Sequence, residues 1–263
     1  VQVQLPDEWD TKIASKNIGV TAAVEATKCS QAWIDQCNKV DKVIVPSVFT
    51  KNVLKRSGII YKQIEVVPEW FNQDILNRQA CDKLRFNDER YNFDTSFNFL
   101  VMGLITGLDP ECDRKNLVNT LKWLLEEFKE EKDVGIVLKT SFGKSSRVDK
   151  QITTDYIKNV VSSFRQGDYP RIHLIHGNLT SKEIAALYHV NSIKALVTAT
   201  RGEGYGLPII DAAAAGIPIA ATDWSGHYQY LKKELIHPID YDIKGIPGKK
   251  NDGRVFIDGA KWA

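Results

Sequence analysis

Two carboxylates bracket the most informative stretch of the chain. Glu203 and Asp211 lie eight positions apart in Thr200-Arg201-Gly202-Glu203-Gly204-Tyr205-Gly206-Leu207-Pro208-Ile209-Ile210-Asp211. Gly202, Gly204 and Gly206 carry no side chain, so a ligand can come close to the backbone of this loop. Pro208 suits the first turn of a helix. The free amides near Tyr205, Gly206 and Leu207 then point at whatever sits above that helix. A helix start carries about half a positive charge and favours phosphate. Asp211 falls about one turn into the helix, where a carboxylate can accept hydrogen bonds from sugar hydroxyls. An acid at a helix start also complements the dipole with no ligand at all. Three glycines, Glu203 and Pro208 together tip the reading towards a ligand.

The elements that position this loop are legible on both sides of it. Phe97 to Gly103, Val134 to Leu138, Ile172 to His176, Ala195 to Thr198 and Ile217 to Ala221 read as strands. Between them, Leu117, Leu121, Leu124 and Phe128, and then Ile157, Val160, Val161 and Phe164, recur at helical spacing. Thr180 and Glu183 form a capping box, and Gly216 closes the helix that Pro208 opens. Repeated strand–helix units with short links argue for a parallel, doubly wound sheet. Ligands bind such sheets in the crevice beyond the strand C-termini.

The first half is similar but sparser. Strands are expected at Val1 to Leu5, Ile18 to Val24, Lys42 to Val45 and Gln63 to Val67. A helix carries Trp33, expected in the core, and Ile34. Ser47 caps another helix, which Gly58 ends. The polar, aperiodic stretch from Asn77 to Ser96 reads as an interdomain connection.

Composition bounds the class. Thirty-five Lys and Arg against thirty-three Asp and Glu leave a net charge of +2, too balanced to argue for nucleic acid. No apolar run reaches the roughly 20 residues of a membrane span, and the first residues do not form a signal peptide. Cys29, Cys37, Cys81 and Cys112 form no Cys-x-x-Cys pair, so free thiols in a reducing, cytoplasmic setting are expected.

The segment from Arg201 to Pro218 resembles the signature of retaining GT-B glycosyltransferases of the large family 4 type. These carry Glu, Gly-Phe-Gly, a second Glu after seven residues, a small-residue run and Gly-x-Pro; here Tyr205 replaces Phe and Asp211 replaces the second Glu. Met102-Gly103-Leu104 followed by Asp113-Arg114-Lys115-Asn116 resembles the family's first C-domain loop. Lys115 matches the Lys that holds the donor diphosphate. Leu104 stands where Arg is usual, so Arg114, Lys139 or Arg201 would supply the missing charge. The resemblance extends over residues 38–231.

The resemblance implies an α/β protein of the GT-B type, with two Rossmann-like domains and parallel sheets. Residues 1–92 would form the acceptor-side domain and 93–263 the nucleotide-sugar domain. About ninety residues with some four strands are few for a full N-terminal domain, so a small or open first sheet, truncated relative to the family, is expected. The implied reaction moves a sugar from a UDP- or GDP-sugar to a glycan, lipid or protein acceptor with retention. Glu203, Lys115 and Lys139 would be catalytic. Arg114, Arg201, Gly204, Tyr205, Gly206, Leu207 and Asp211 would hold the donor, with Glu203 on the transferred sugar and Asp211 on the ribose. No cofactor or metal is expected, and a homo-oligomer is allowed.

Weaker signals remain. Asp240-Tyr241-Asp242 matches a metal-binding Asp-x-Asp, but lies outside the strand-to-helix position such a site requires. Gly-x-Gly-x-x-Gly is absent, which argues against a dinucleotide enzyme. His227 and Glu25 are secondary candidates for the donor and acceptor sides. His176 reads as structural. A nucleotide-sugar epimerase on the same fold, or a non-catalytic sugar-nucleotide or glycan-binding module, are the alternatives to a transferase.

Overall fold

The computed structural model describes the backbone of residues 1–263 and all side chains except that of Lys233. Four short strands, β1 (Gln2–Val3), β2 (Ile18–Val20), β3 (Lys42–Val45) and β4 (Gln63–Val66), form a parallel sheet in the order β1-β2-β3-β4. Helix α1 (Gln31–Cys37) precedes β3 and helix α2 (Val48–Ser57) follows it. Ser47 caps α2 by accepting from the Thr50 amide. Trp33, Ile34, Val43, Val45 and Leu54 form this half's core, with Trp33 only 1% exposed. The small first sheet expected from the sequence is thus present, with four strands.

Residues 77–96 depart from the expected connection. Helix α3 (Arg78–Phe86) forms there. Asn77 caps it by accepting from the Ala80 amide. Its buried Cys81 and its Leu84 join the core cluster that also holds Ala185 and Tyr188. Polar composition hid a helix whose one apolar stripe is supplied with a partner only by tertiary packing.

The second sheet is built from β5 (Phe97–Met102), β6 (Val134–Thr140), β7 (Arg171–His176), β8 (Ile193–Thr198), β9 (Ile219–Thr222) and β10 (His237–Ile239). The connecting helices are α4 (Leu117–Glu127), α5 (Arg147–Phe164), α6 (Ser181–Tyr188) and α7 (Leu207–Ala214). All neighbours are parallel, in the order β10-β9-β8-β5-β6-β7. The Thr180–Glu183 capping box closes in both directions at the start of α6. One face of the sheet packs on α3, α6 and α7, through Leu100, Val137, Leu196 and Ile209. The other packs on α4 and α5, through Val101, Leu121, Ile136 and Ile157. A short antiparallel pair, β11 (Lys244–Gly245) and β12 (Lys261–Trp262), lies in the last segment, which the sequence did not mark. Trp262 and Phe256 pack there against Ala26 of the first half. The four cysteines are buried and free. Among the described residues no helix is long and apolar enough to cross a membrane.

Candidate functional site

The strand order places a switch point between β5 and β8: the chain runs outward through β6 and β7, then returns to the other side of β5. Ligands of doubly wound sheets bind at such a point, beyond the strand ends. The loop after β5 and the glycine-rich loop after β8 meet there. Asp113, fully buried, folds the first of them. Its Oδ1 accepts from Thr106 and from the Lys115 amide, and its Oδ2 accepts from the Leu117 amide. Asn116 takes a left-handed conformation (φ 53°) and donates to the Ala199 carbonyl at the end of β8. The Arg201 amide donates to the Arg114 carbonyl. Arg114 and Lys115 are thereby carried to Glu203. The residues Asp113 and Asn116 were visible in the sequence only as neighbours of the basic pair.

Glu203 is the electrostatic centre. Lys115 Nζ lies 2.6 Å from its Oε1 and Arg114 Nη1 lies 3.4 Å from its Oε2. Thr200 Oγ1 donates to Oε1 at 2.9 Å. Burial alone would push this carboxyl up; the two cations and the hydroxyl outweigh it and hold the pKa at about 2. Glu203 is therefore a buried anion at neutral pH. Arg114 also reaches back to the first half, with Nε 2.8 Å from Glu25. Glu25 is pushed up by burial, against the pull of Arg114.

The glycines are used differently from the expectation. A Cβ on Gly204 would overlap the Ala22 carbonyl, and one on Gly202 the Glu25 carbonyl. The space they leave is filled by the chain's own segment 22–25, not kept open for a ligand. Ser47 Oγ donates to the Gly204 carbonyl at 2.7 Å, a second tie between the halves. Gly206 has φ 91°, which glycine adopts without strain, and turns the chain into α7. Tyr230 donates to its carbonyl at 2.7 Å. Tyr205 is buried, packs at a tilt against Tyr230 and donates to the Glu69 carbonyl, so its side chain is a strut between loops.

The remaining residues divide by direction. His227 is fully buried rather than open to a donor. Its Nε2 meets the Thr222 carbonyl at 2.7 Å, so that nitrogen carries the proton and Nδ1 accepts from Ser225 Oγ. Ser225 in turn accepts from the Glu203 amide at 3.0 Å. Ser225 holds φ 94°, a strained value for a residue with a side chain; this relay fixes the loop, and no local motif marks it. Arg201 points away from Glu203, towards Pro110, Glu111 and the Trp262 ring. It leaves the basic set. His176 pairs with Asp149 of α5 at 2.7 Å, a structural role.

Two groups face the α7 side of the switch point. Asp211 is buried, and its Oδ1 accepts from the Asn72 amide at 2.8 Å, with burial raising its pKa. Lys139 pairs in register with Met102 and alternates onto the same face as Val137, whose cluster includes Ile209 of α7. Tyr188 ties that region to the start of α7, its hydroxyl lying 3.3 Å from Met102 Sδ and 2.9 Å from the Pro208 carbonyl. Lys139 forms no ion pair among the described residues, and burial lowers its pKa. Leu207 is half-exposed at the helix start. Asp240 and Asp242 lie apart from all of these, and no three or more His, Cys, Asp or Glu side chains cluster as metal ligands among the described residues.

Solved structures share this architecture. An α,α-trehalose-phosphate synthase (UDP-forming) from Burkholderia xenovorans, in complex with glucose-6-phosphate, superposes with a TM-score of 0.60 at 9% identity, over 87% of this chain and 57% of that one. The fold is of the GT-B type. The pneumococcal O-GlcNAc transferase GtfA, in complex with UDP and GlcNAc, matches at 0.51 and 15%, over 85% and 41%. The N-terminal domain of Candida albicans trehalose-6-phosphate phosphatase matches at 0.56 and 13%, over 90% and 57%. The chain thus spans about half the length of these structures. The synthase and GtfA are GT-B glycosyltransferases. At these identities the likeness is one of fold. No family model matches the chain, and no characterised protein matches its sequence.

Proposed function

We propose that this chain belongs to an enzyme that transfers a sugar from a nucleotide-sugar donor to a glycan, lipid or protein acceptor. The observation that carries the reading is Glu203: a buried carboxylate kept ionised by Lys115 and Arg114 at the switch point of the sheet. A fixed negative charge there stabilises positive charge growing on the sugar ring in the transition state. Asp211, eight residues on, takes the ribose hydroxyls through the oxygen not bonded to Asn72. The start of α7 and Lys139 receive the diphosphate. Lys139 takes this role in place of Arg114 and Lys115, whose charges are matched by Glu25 and Glu203. The half built on the four-stranded sheet supplies the acceptor side, and the half built on the second sheet, with α3 packed on it, the donor side.

The reaction keeps the anomeric configuration. The bond from C1 to the diphosphate oxygen breaks as the acceptor oxygen bonds to C1 from the same face. The acceptor proton passes to the leaving phosphate. Helix amides and Lys139 offset the released charge, so transfer proceeds without a divalent metal.

The test is a panel of UDP- and GDP-sugars incubated with the protein. Slow release of free nucleotide and sugar, abolished in Glu203→Gln, supports the transferase. An epimerised donor would assign a nucleotide-sugar epimerase. Nucleotide binding with no turnover on any donor would leave a binding module.

A further inference from the structure

A cavity of 530 Å³ opens on the α4 side of the second sheet, across from α7. Its walls include Asn116, Asn119 and Trp123 of the α4 region, and Asp240, Tyr241 and Asp242 after β10. Glu203, Lys115, Lys139 and Asp211 do not line it. Thr200 is the partition: it lines the cavity, while its Oγ1 donates to Glu203. We infer that this cavity binds a neutral saccharide at a site separate from the donor crevice.

Trp123 is 52% exposed and Tyr241 40% exposed, both at one concavity. Large rings of this kind are usually well buried. A pyranose has an apolar C–H face and a polar rim, and an aromatic ring offers the apolar body that such a face covers. The rim then needs planar acceptors and donors at the side. Asp240 and Asp242 make no side-chain hydrogen bond or ion pair among the described residues. Asn119 gives its amide N–H to Asn116 and keeps its carbonyl oxygen. These groups accept from hydroxyls, and Lys244 on the same wall donates to them. Aromatic side chains beside convergent polar groups are features of a small-ligand site.

Charge selects among ligands. Glu111, Asp240 and Asp242 outnumber Arg201 and Lys244 in the lining. Arg201 is already engaged by Glu111 and the Trp262 ring. The two free carboxylates therefore repel a phosphate or a sialylated sugar. They do not gather a third ligand for a metal. An uncharged polyol with one apolar face fits both conditions. A sugar held there lies behind Glu203, so it is anchored and not reacted. The inference does not depend on the transferase reading.

The test is a calorimetric titration of the full chain with three trisaccharides: maltotriose, cellotriose and triacetylchitotriose. At least one is expected to bind with a Kd of about 1 mM or tighter. Trp123→Ala and Tyr241→Ala should each weaken it by about tenfold or more. Trp123→Phe, which keeps a ring, should retain most of the affinity, and saturating UDP should leave it unchanged. Both positions are exposed, so the thermal midpoint should hold. Absence of binding by all three sugars, or affinity unchanged in both alanine variants, would overturn the inference. So would competition by UDP together with loss in Asp211→Ala, which would put the sugar in the donor crevice.

Discussion

Lys115 Nζ lies 2.6 Å from Glu203 Oε1, with Glu203 buried and Lys115 largely so. Removing one partner of a buried pair strands the other charge, at a cost of about 3–5 kcal/mol. Arg114 remains 3.4 Å from the second oxygen, so Lys115→Met should cost the lower end of that range. Urea denaturation checks this; a change below about 1 kcal/mol would show that the pair is solvated in solution.

The same pair sets an acid limit. The Glu203 carboxyl is held at about 2, below its ordinary 4.5. A depressed folded pKa contributes stability that is present above the unfolded pKa and lost as pH falls through the folded one. Stability should therefore decline between pH 4.5 and 2, and Glu203→Gln should flatten that part of the curve. A curve of the same slope in the variant would place the loss elsewhere.

Gly204 joins the halves by close approach. A Cβ there would overlap the Ala22 carbonyl while the Ser47 bond holds the loop in place. Gly204→Ala should destabilise by at least about 3 kcal/mol. At Gly216, with φ 74° and open space, alanine should cost only about 1 kcal/mol. Equal losses at the two sites would count against the packed loop.

Much of this was legible in the sequence, and the gaps have physical reasons. Ser47, Gly58, Thr180, Glu183 and Pro208 marked helix ends because capping is local chemistry, set by residues a few positions apart. Glu203 stands out because the 201–218 motif is specific; Lys115 is legible only as a diphosphate candidate, and the structure pairs it with Glu203. The expected roles of Arg201, Gly204 and His227 shifted because direction, not identity, decides them. Arg201 turns towards Trp262, segment 22–25 fills the space over Gly204, and His227 is enclosed by Thr222 and Ser225. Helix α3 was missed because its stripe gains a partner only from α6.

Asp211 and Lys139 should separate on nucleotide binding. A charge-assisted hydrogen bond is worth about 1.5–3 kcal/mol, or about ten- to a hundredfold in affinity. Asp211→Ala should weaken uridine and UDP alike by that factor. Lys139→Ala should weaken UDP and leave uridine nearly unchanged. Equal losses for both ligands in Lys139→Ala would remove it from the diphosphate.

The most direct measurement is a crystal structure of the chain with UDP or GDP bound. The diphosphate is expected at the Leu207 end of α7, in contact with Lys139 Nζ, with the ribose hydroxyls on Asp211. A nucleotide in the cavity between Trp123 and Tyr241, or a crevice that stays empty at saturating nucleotide, would contradict this placement.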